Sequence, residues 1–287
     1  MDGYYAFMLV ATALVLMMTV PALALFYGGM ARSKSVLNMM MMSYVAVAIV
    51  GILYVAVGWS MGFGGDGTFF ADPTTLLWLK DVPTDSYIYV MFQMTFAIIT
   101  VALISGAVAD RMKFSAWLLF VPLWALICYF PMAHMVFSCT DDSLICGRIG
   151  AQDYAGGTAV HINAGVAALV LVLLLGKRVG WPKEQMRPHN LTLTMLGAGL
   201  LWFGWYGFNV GSIVLAGDTA EASTAQFMSQ TGVTFLNTTI ATMAAMLAWL
   251  AMERLMHGKA TSLGAASGIV AGLVAITPSC GSVDGVG

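Results

Sequence analysis

The stretch SYIYVMFQMTFAIITVALISGAVA (residues 86–109) contains no Asp, Glu, Lys or Arg. A bilayer-spanning helix needs roughly 20 apolar residues, so this run is long enough to cross. Seven further uncharged runs flank it, at 3–31, 35–65, 114–140, 154–176, 188–217, 222–252 and 260–283. One or two such runs fit the core of a soluble protein; eight in tandem do not. The 287 residues are 60% hydrophobic and 9% charged, against about 25% charged in an ordinary soluble domain. The runs are continuously apolar and rich in Leu, Ala, Met and Val, unlike the short alternating strands of a membrane barrel. Backbone polar groups in lipid must be satisfied within their own segment, which makes such runs helices. The fold class expected is an all-α polytopic membrane protein. A formal net charge of −2 speaks against a nucleic-acid partner. Ala22 and Ala24 mimic a signal-peptide cleavage site, but the chain opens with Asp2 rather than a basic segment. The first run is also too long for a secretory signal and is expected to stay as a membrane helix.

The loops carry an orientation. Arg32, Lys34, Arg111, Lys113, Lys177, Arg178, Lys183, Arg187, Arg254 and Lys259 follow the odd-numbered runs, and only Lys80 and Arg148 follow even ones. The positive-inside rule puts the ten in the cytoplasm and the N-terminus outside. Asp2, Asp66, Asp72, Asp81, Asp85, Asp141, Asp142, Asp153, Asp218 and Glu221 then lie outside. An acidic face attracts cations over about a Debye length, or the acids simply fill loops that basic residues avoid.

Cys139 and Cys146 share one outer loop, where oxidising conditions permit a bridge without requiring one. No CxxC or Cys/His spacing suggests a metal site. The 22 methionines read as adaptable helix packing. Haem would want His pairs on facing helices, yet His134, His161, His189 and His257 are scattered along the chain. No metal, cofactor or catalytic residue is expected.

Polar residues at membrane depth ask for explanation. His161 lies eight residues past Asp153, about 12 Å deeper at 1.5 Å per residue, near the bilayer midplane. A neutral imidazole both donates and accepts a hydrogen bond, so it can hold or relay a proton carrier; a lone His can equally be satisfied by a neighbouring helix. Asp153 precedes the small-residue turn Tyr154-Ala155-Gly156-Gly157-Thr158, a good cap for the helix below it. Capping and direct substrate contact are both open for it. Phe92 and Phe96 are i, i+4 neighbours with Gln93 beside them; Phe208 and Ser212 repeat the spacing in the sixth run, and Phe137 ends the fourth. Aromatics at this depth form an interfacial belt or, facing a pore, hold a cation on their ring faces. Gly264, Gly268 and Gly272, and Gly207 and Gly211, form small-residue stripes that read as helix packing. Pro21, Pro122, Pro131 and Pro278 interrupt apolar runs and could kink them.

Taken together, these stretches resemble the ammonium transporter family, which includes the Rh proteins. The resemblance rests on VPALALFYGGMARSKSVLN (20–38), FQMTFAIITVALISGAVADRMKFSA (92–116), PMAHMVF (131–137), DYAGGTAVHINAG (153–165), GKRVGW with PHNL (176–191) and WYGFNVGS (205–212), in family order. It implies a channel-like transporter that recruits ammonium at an outer vestibule and passes it through a narrow hydrophobic pore. By that likeness Phe137, Phe208 and Ser212 line the recruitment site, and Phe92 and Phe96 gate the pore. His161 is the first of two pore histidines. Asp153, with Gln93 and Thr158, supports the site. Position 137 departs from the bacterial pattern, where Trp is common; Phe keeps a ring and loses the indole donor. The resemblance further implies a homotrimer in the plasma membrane, regulated by a PII-type protein at its cytoplasmic face.

The family fold has eleven helices arranged as an inverted repeat. Against it, residues 1–176 read as the first five-helix repeat, 177–190 as a cytoplasmic linker and 191–287 as a partial second repeat. With eight runs ending at SVDGVG, the sequence reads as C-terminally truncated, without the partner of the fifth helix and its second histidine. Two other classes compete with an ammonium conduit. They are a pore for another small polar solute, such as urea or methylamine, and a membrane enzyme.

Overall fold

The computed structural model describes residues 2–284; the last three residues of the expected 191–287 block lie outside them. Eight helices are long and apolar enough to cross a membrane: α1 (Gly3–Met30), α2 (Ser33–Phe63), α3 (Thr84–Val108), α4 (Phe114–Ser138), α5 (Gly157–Leu175), α6 (Leu191–Val210), α7 (Ala220–His257) and α8 (Ser262–Ser279). Each contains most of one of the eight uncharged runs, α7 extending past its run at both ends to take in Glu221, Glu253 and Arg254, and the described residues contain no strand. The chain is thus an all-α, multi-pass membrane protein.

The centre of the bundle is α3, packed against α1, α2 and α5. Its Phe92, Phe96, Ile98, Ile99, Val101 and Ile104 are buried, because apolar residues run right round this helix instead of forming one stripe. The glycine stripes work as packing surfaces. Along α6, a methyl group at Gly197, Gly204 or Gly207 would strike the backbone of α1 at Phe26, Leu14 or Ala11. Along α8, Gly268 and Gly272 meet α7 at Met246, Ala241 and Thr242 with the same intimacy. Small residues let membrane helices approach until their backbones touch.

Several helices are not uniform. Pro21 lies in a π-helical stretch, Met18–Leu23, where Val20 leaves the helical region (φ −135°, ψ 114°). Pro122 precedes another, Ala125–Tyr129, and α5 opens with a third, Gly157–Ile162, which carries His161. Such wide turns loosen the hydrogen-bond ladder and concentrate at functional positions. Pro278 sits in a tight turn closing α8.

On the face that carries the ten basic residues, Arg32 Nε donates to Asp110 Oδ2 at 2.8 Å, and Arg32 Nη1 donates to Glu184 Oε2 at 2.6 Å. Ser35 Oγ donates to the other Asp110 oxygen. Burial alone would raise the Asp110 carboxyl, but the hydrogen bonds from Arg32 and Ser35, with the charges of Arg32 and Arg178, outweigh it and hold the group below the usual carboxylate range. This cluster ties the α1–α2 turn to the α3–α4 turn and to the 177–190 segment. Backbone bonds from His189 to Ala31 and from Asn190 to Gly29 continue it.

Candidate functional site

The site is built from the N-terminus of α5. The Asp153 carboxylate accepts four backbone N–H bonds, from Gly156 and Gly157 on Oδ1 and from Thr158 and Ala159 on Oδ2, all between 2.7 and 3.0 Å. These are the donors that a helix start leaves unpaired, and a carboxylate there also meets the positive end of the helix. Gly156 sits at φ +97°, and a side chain on it would press on the Phe96 ring. Gly157 packs on the Pro278 ring, and Tyr154 N donates to Pro278 O at 3.0 Å. The end of α8 therefore braces the turn that Asp153 holds.

Above this turn, on the acidic face, a cavity of about 370 Å³ opens. Its wall includes Phe92, Gln93, Phe96, Phe137, Asp153 and Ser212. Six of the nine residues singled out from sequence thus line one cavity. Gln93 Nε2 donates to Tyr89 Oη at 3.2 Å. Ser212 Oγ donates to the Phe208 carbonyl at 2.8 Å, so its lone pairs remain for an incoming N–H donor. Thr158 is not in the wall; it takes part through its backbone N–H to Asp153.

Phe208 and His161 lie elsewhere. The Phe208 ring is fully buried and stacks on Phe96, with centroids 4.0 Å apart and planes 8° from parallel. On its other side it faces His161 at 5.7 Å and 22°. Phe208 is therefore one layer below the cavity rather than in its wall. Phe92 tilts against Phe96 at 4.9 Å, and Phe137 meets Phe96 edge-on at 6.3 Å. Aromatic layers thus separate the cavity from an imidazole whose two ring nitrogens are buried without a hydrogen-bond partner among the described residues.

Several neighbours of this arrangement escape sequence reasoning. Trp205 lies 5.2 Å from His161, and its Nε1 donates to Thr277 Oγ1 at 2.9 Å. Asn209 Nδ2 donates to Thr238 Oγ1 at 3.0 Å, linking α6 to α7. Tyr154 and Gln230 complete the cavity rim. Trp205 precedes Phe208 by three positions, a helical neighbour spacing that could have found it; nothing in the sequence ties Thr277 to it. Cys139 and Cys146, left open above, form a disulfide at the cavity edge. His134 places its ring nitrogens 2.9 and 2.7 Å from the Gly62 and Gly67 carbonyl oxygens and holds a loop. Among the described residues no cluster of His, Cys, Asp and Glu could hold a metal ion.

The profile of the Ammonium Transporter Family matches residues 6–287. The chain belongs to the ammonium transporter family. The ammonium transporter of Mycobacterium tuberculosis (strain ATCC 25618 / H37Rv) is 54% identical to it over 314 residues, covering 99% of this chain and 63% of the relative. The ammonium transporter of Aquifex aeolicus is 47% identical, with 99% and 65% covered. The chain spans just under two thirds of the length of these curated relatives. Among solved structures, Candida albicans Mep2 superposes with a TM-score of 0.83 at 28% identity, covering 98% of this chain and 61% of that one. A sensor Amt protein superposes with a TM-score of 0.87 at 26% identity, covering 99% and 70%. This is a transporter family rather than one of enzymes, and the membership agrees with the likeness carried by DYAGGTAVHINAG.

Proposed function

We propose that this ammonium-transporter-family chain takes up ammonium at the cavity on its acidic face and passes ammonium or ammonia inward past His161. The carrying observation is the order of the groups: an aromatic-walled cavity, the Phe96–Phe208 stack, and an imidazole with both nitrogens unpartnered. In this reading Phe137, in the cavity wall, offers its ring face to a cation, worth about 0.5–2 kcal/mol. The Ser212 oxygen accepts one of its N–H bonds. Phe92, Phe96 and Phe208 exclude the hydrated ion, so the substrate sheds water as the rings part. His161 then donates or accepts a hydrogen bond, since neither of its ring nitrogens is paired with a described residue. Asp153 acts by holding the turn that aims α5, and Thr158 and Gln93 support it.

We assign residues 1–176 and 191–287 to two repeats joined by the linker 177–190, working as a homotrimer in the plasma membrane. The N-terminus faces outside, and a PII-type regulator meets the basic face. Ten of twelve basic residues on one face support that orientation.

The test is uptake of labelled methylammonium and of urea by liposomes holding the full-length protein. Methylammonium uptake that His161→Leu abolishes is expected, with no urea entry. Equal urea entry, or uptake indifferent to His161, would overturn the reading.

A further inference from the structure

One stripe of α3 faces the outer cavity. Tyr89, Phe92, Gln93 and Phe96 all line it, at i, i+3, i+4 and i+7, the spacing of a single helix face. Two of the four are polar, and they are joined through the bond from Gln93 Nε2 to Tyr89 Oη. Trp59 and Phe63, at the outer end of α2, meet the Tyr89 ring edge-on, with centroids 5.8 and 6.0 Å away. The ring is thus wedged by α2, and its hydroxyl is held by the next turn of α3.

Two other polar groups of the wall are engaged elsewhere. Both Asp153 oxygens accept backbone N–H groups. The Tyr154 hydroxyl donates to Gln230 Oε1 at 3.4 Å and accepts from Thr234 Oγ1 at 3.3 Å. Tyr89 and Gln93 are not closed in this way. A hydroxyl oxygen has two lone pairs, of which Gln93 Nε2 takes one on Tyr89, and Gln93 Oε1 makes no hydrogen bond among the described residues. Ser212 Oγ, whose own proton goes to the Phe208 carbonyl, stands in the same wall. Three uncharged oxygens and the Phe137 ring are therefore open to a ligand.

We propose that Tyr89 and Gln93 are substrate contacts of this cavity and make it select cations by their number of N–H groups. The proposal rests on the ammonium reading of the cavity. Ammonium and methylammonium carry enough N–H groups for all three oxygens, with the ring face taking the remaining N–H or the methyl group. Dimethylammonium is one N–H short, so one oxygen loses its partner. A site built to hydrogen-bond an N–H rejects the analogue that lacks it.

The test is uptake of labelled methylammonium by liposomes holding the full-length protein, with ammonium or dimethylammonium as inhibitor. Tyr89→Phe keeps the wedged ring and Gln93→Leu keeps an uncharged side chain; thermal unfolding checks that both variants fold. Tyr87→Phe removes a hydroxyl from the same helix outside the cavity wall. The ammonium concentration for half-inhibition should rise about ten-fold in each cavity variant, since a hydrogen bond to a charged group is worth at least that. Inhibition by dimethylammonium should move far less, so the preference between the two ions narrows, and Tyr87→Phe should match the parent. An equal shift for both ions would mark a structural role, and no shift would mean that neither residue touches the cation; either result overturns the proposal. So would a double variant, Tyr89→Phe/Gln93→Leu, that dimethylammonium still fails to inhibit, which would show selection by size. Parent uptake that ammonium does not inhibit would overturn the ammonium reading, and this proposal with it, before any variant is made.

Discussion

Phe96 and Phe208 lie face to face, 4.0 Å between centroids and 8° from parallel, and Phe208 turns its other side to His161. The two rings come from α3 and α6, so this stack is both a helix–helix contact and the floor of the outer cavity. Replacing Phe208 by Ala should remove the floor and the wall beside His161 together. Such a truncation in a packed interior costs about 3–5 kcal/mol. The expected outcome is a lower unfolding temperature and loss of methylammonium uptake, with Phe208→Leu intermediate in both. Undiminished uptake in Phe208→Ala would show that the stack is packing alone.

Asp153 holds four N–H groups with two oxygens. Asn offers one oxygen, leaving two donors without an acceptor at about 1–3 kcal/mol each where they are buried. Asp153→Asn should therefore melt earlier in detergent, and Asp153→Glu should not restore it, since the longer side chain cannot fill the same turn. Thermal unfolding of the three proteins decides this.

Asp110 has a depressed pKa in the folded chain. A carboxyl whose folded value lies below its unfolded value, about 3.9 in peptides, stabilises the fold above the unfolded value. It loses that contribution as pH falls through the folded one. Asp110 sits at φ +57°, a region that Asn tolerates well, so Asp110→Asn removes charge without forcing the backbone. The variant should be less stable than the parent at neutral pH, and the difference should shrink as pH falls below about 4. A constant gap across the titration would contradict this account.

The Cys139–Cys146 bridge closes a short loop two residues from Phe137. Exchanging both cysteines for Ser should free the rim that carries the Phe137 ring. If the proposed site is right, half-saturation for methylammonium should rise while the maximal rate holds. Mass spectrometry without reductant should find the two thiols joined in the parent; free thiols there would remove the basis of the prediction.

Orientation can be read with a membrane-impermeant thiol reagent. Ser33, which starts α2, and Asp66, in the loop after it, are both exposed at opposite ends of that helix. A Cys in place of Asp66 should be labelled on intact cells, and one in place of Ser33 only after lysis. The reverse pattern would invert the proposed topology.

Eight helices, their approximate ends and the packing role of the glycine stripes were legible along the chain, because membrane crossing depends on local quantities. An uncharged run of sufficient length must satisfy its own backbone in lipid, whatever its neighbours do. The cap at Asp153 was legible for the same reason, its partners being three to six residues away. Six of the nine chosen residues meet around one cavity, and that likewise followed from family order in DYAGGTAVHINAG and WYGFNVGS.

Tertiary structure alone decided what depends on faces and depth. Helical spacing predicts Phe208 and Ser212 on one side of the sixth run, yet α6 ends at Val210. The fold sends the Phe208 ring beneath the cavity, where α3 brings Phe96 over it, and leaves Ser212, in the turn after the helix, in the cavity wall. The joining of Cys139 to Cys146 and the wide turn under His161 are likewise set by how loops and helix ends meet. So are the Trp205–Thr277 bond and the brace of Pro278 on Gly157. The Trp205–Thr277 bond and the Pro278 brace join segments whose separation along the chain carries no local signal, and only the packing of helices against one another brings them together.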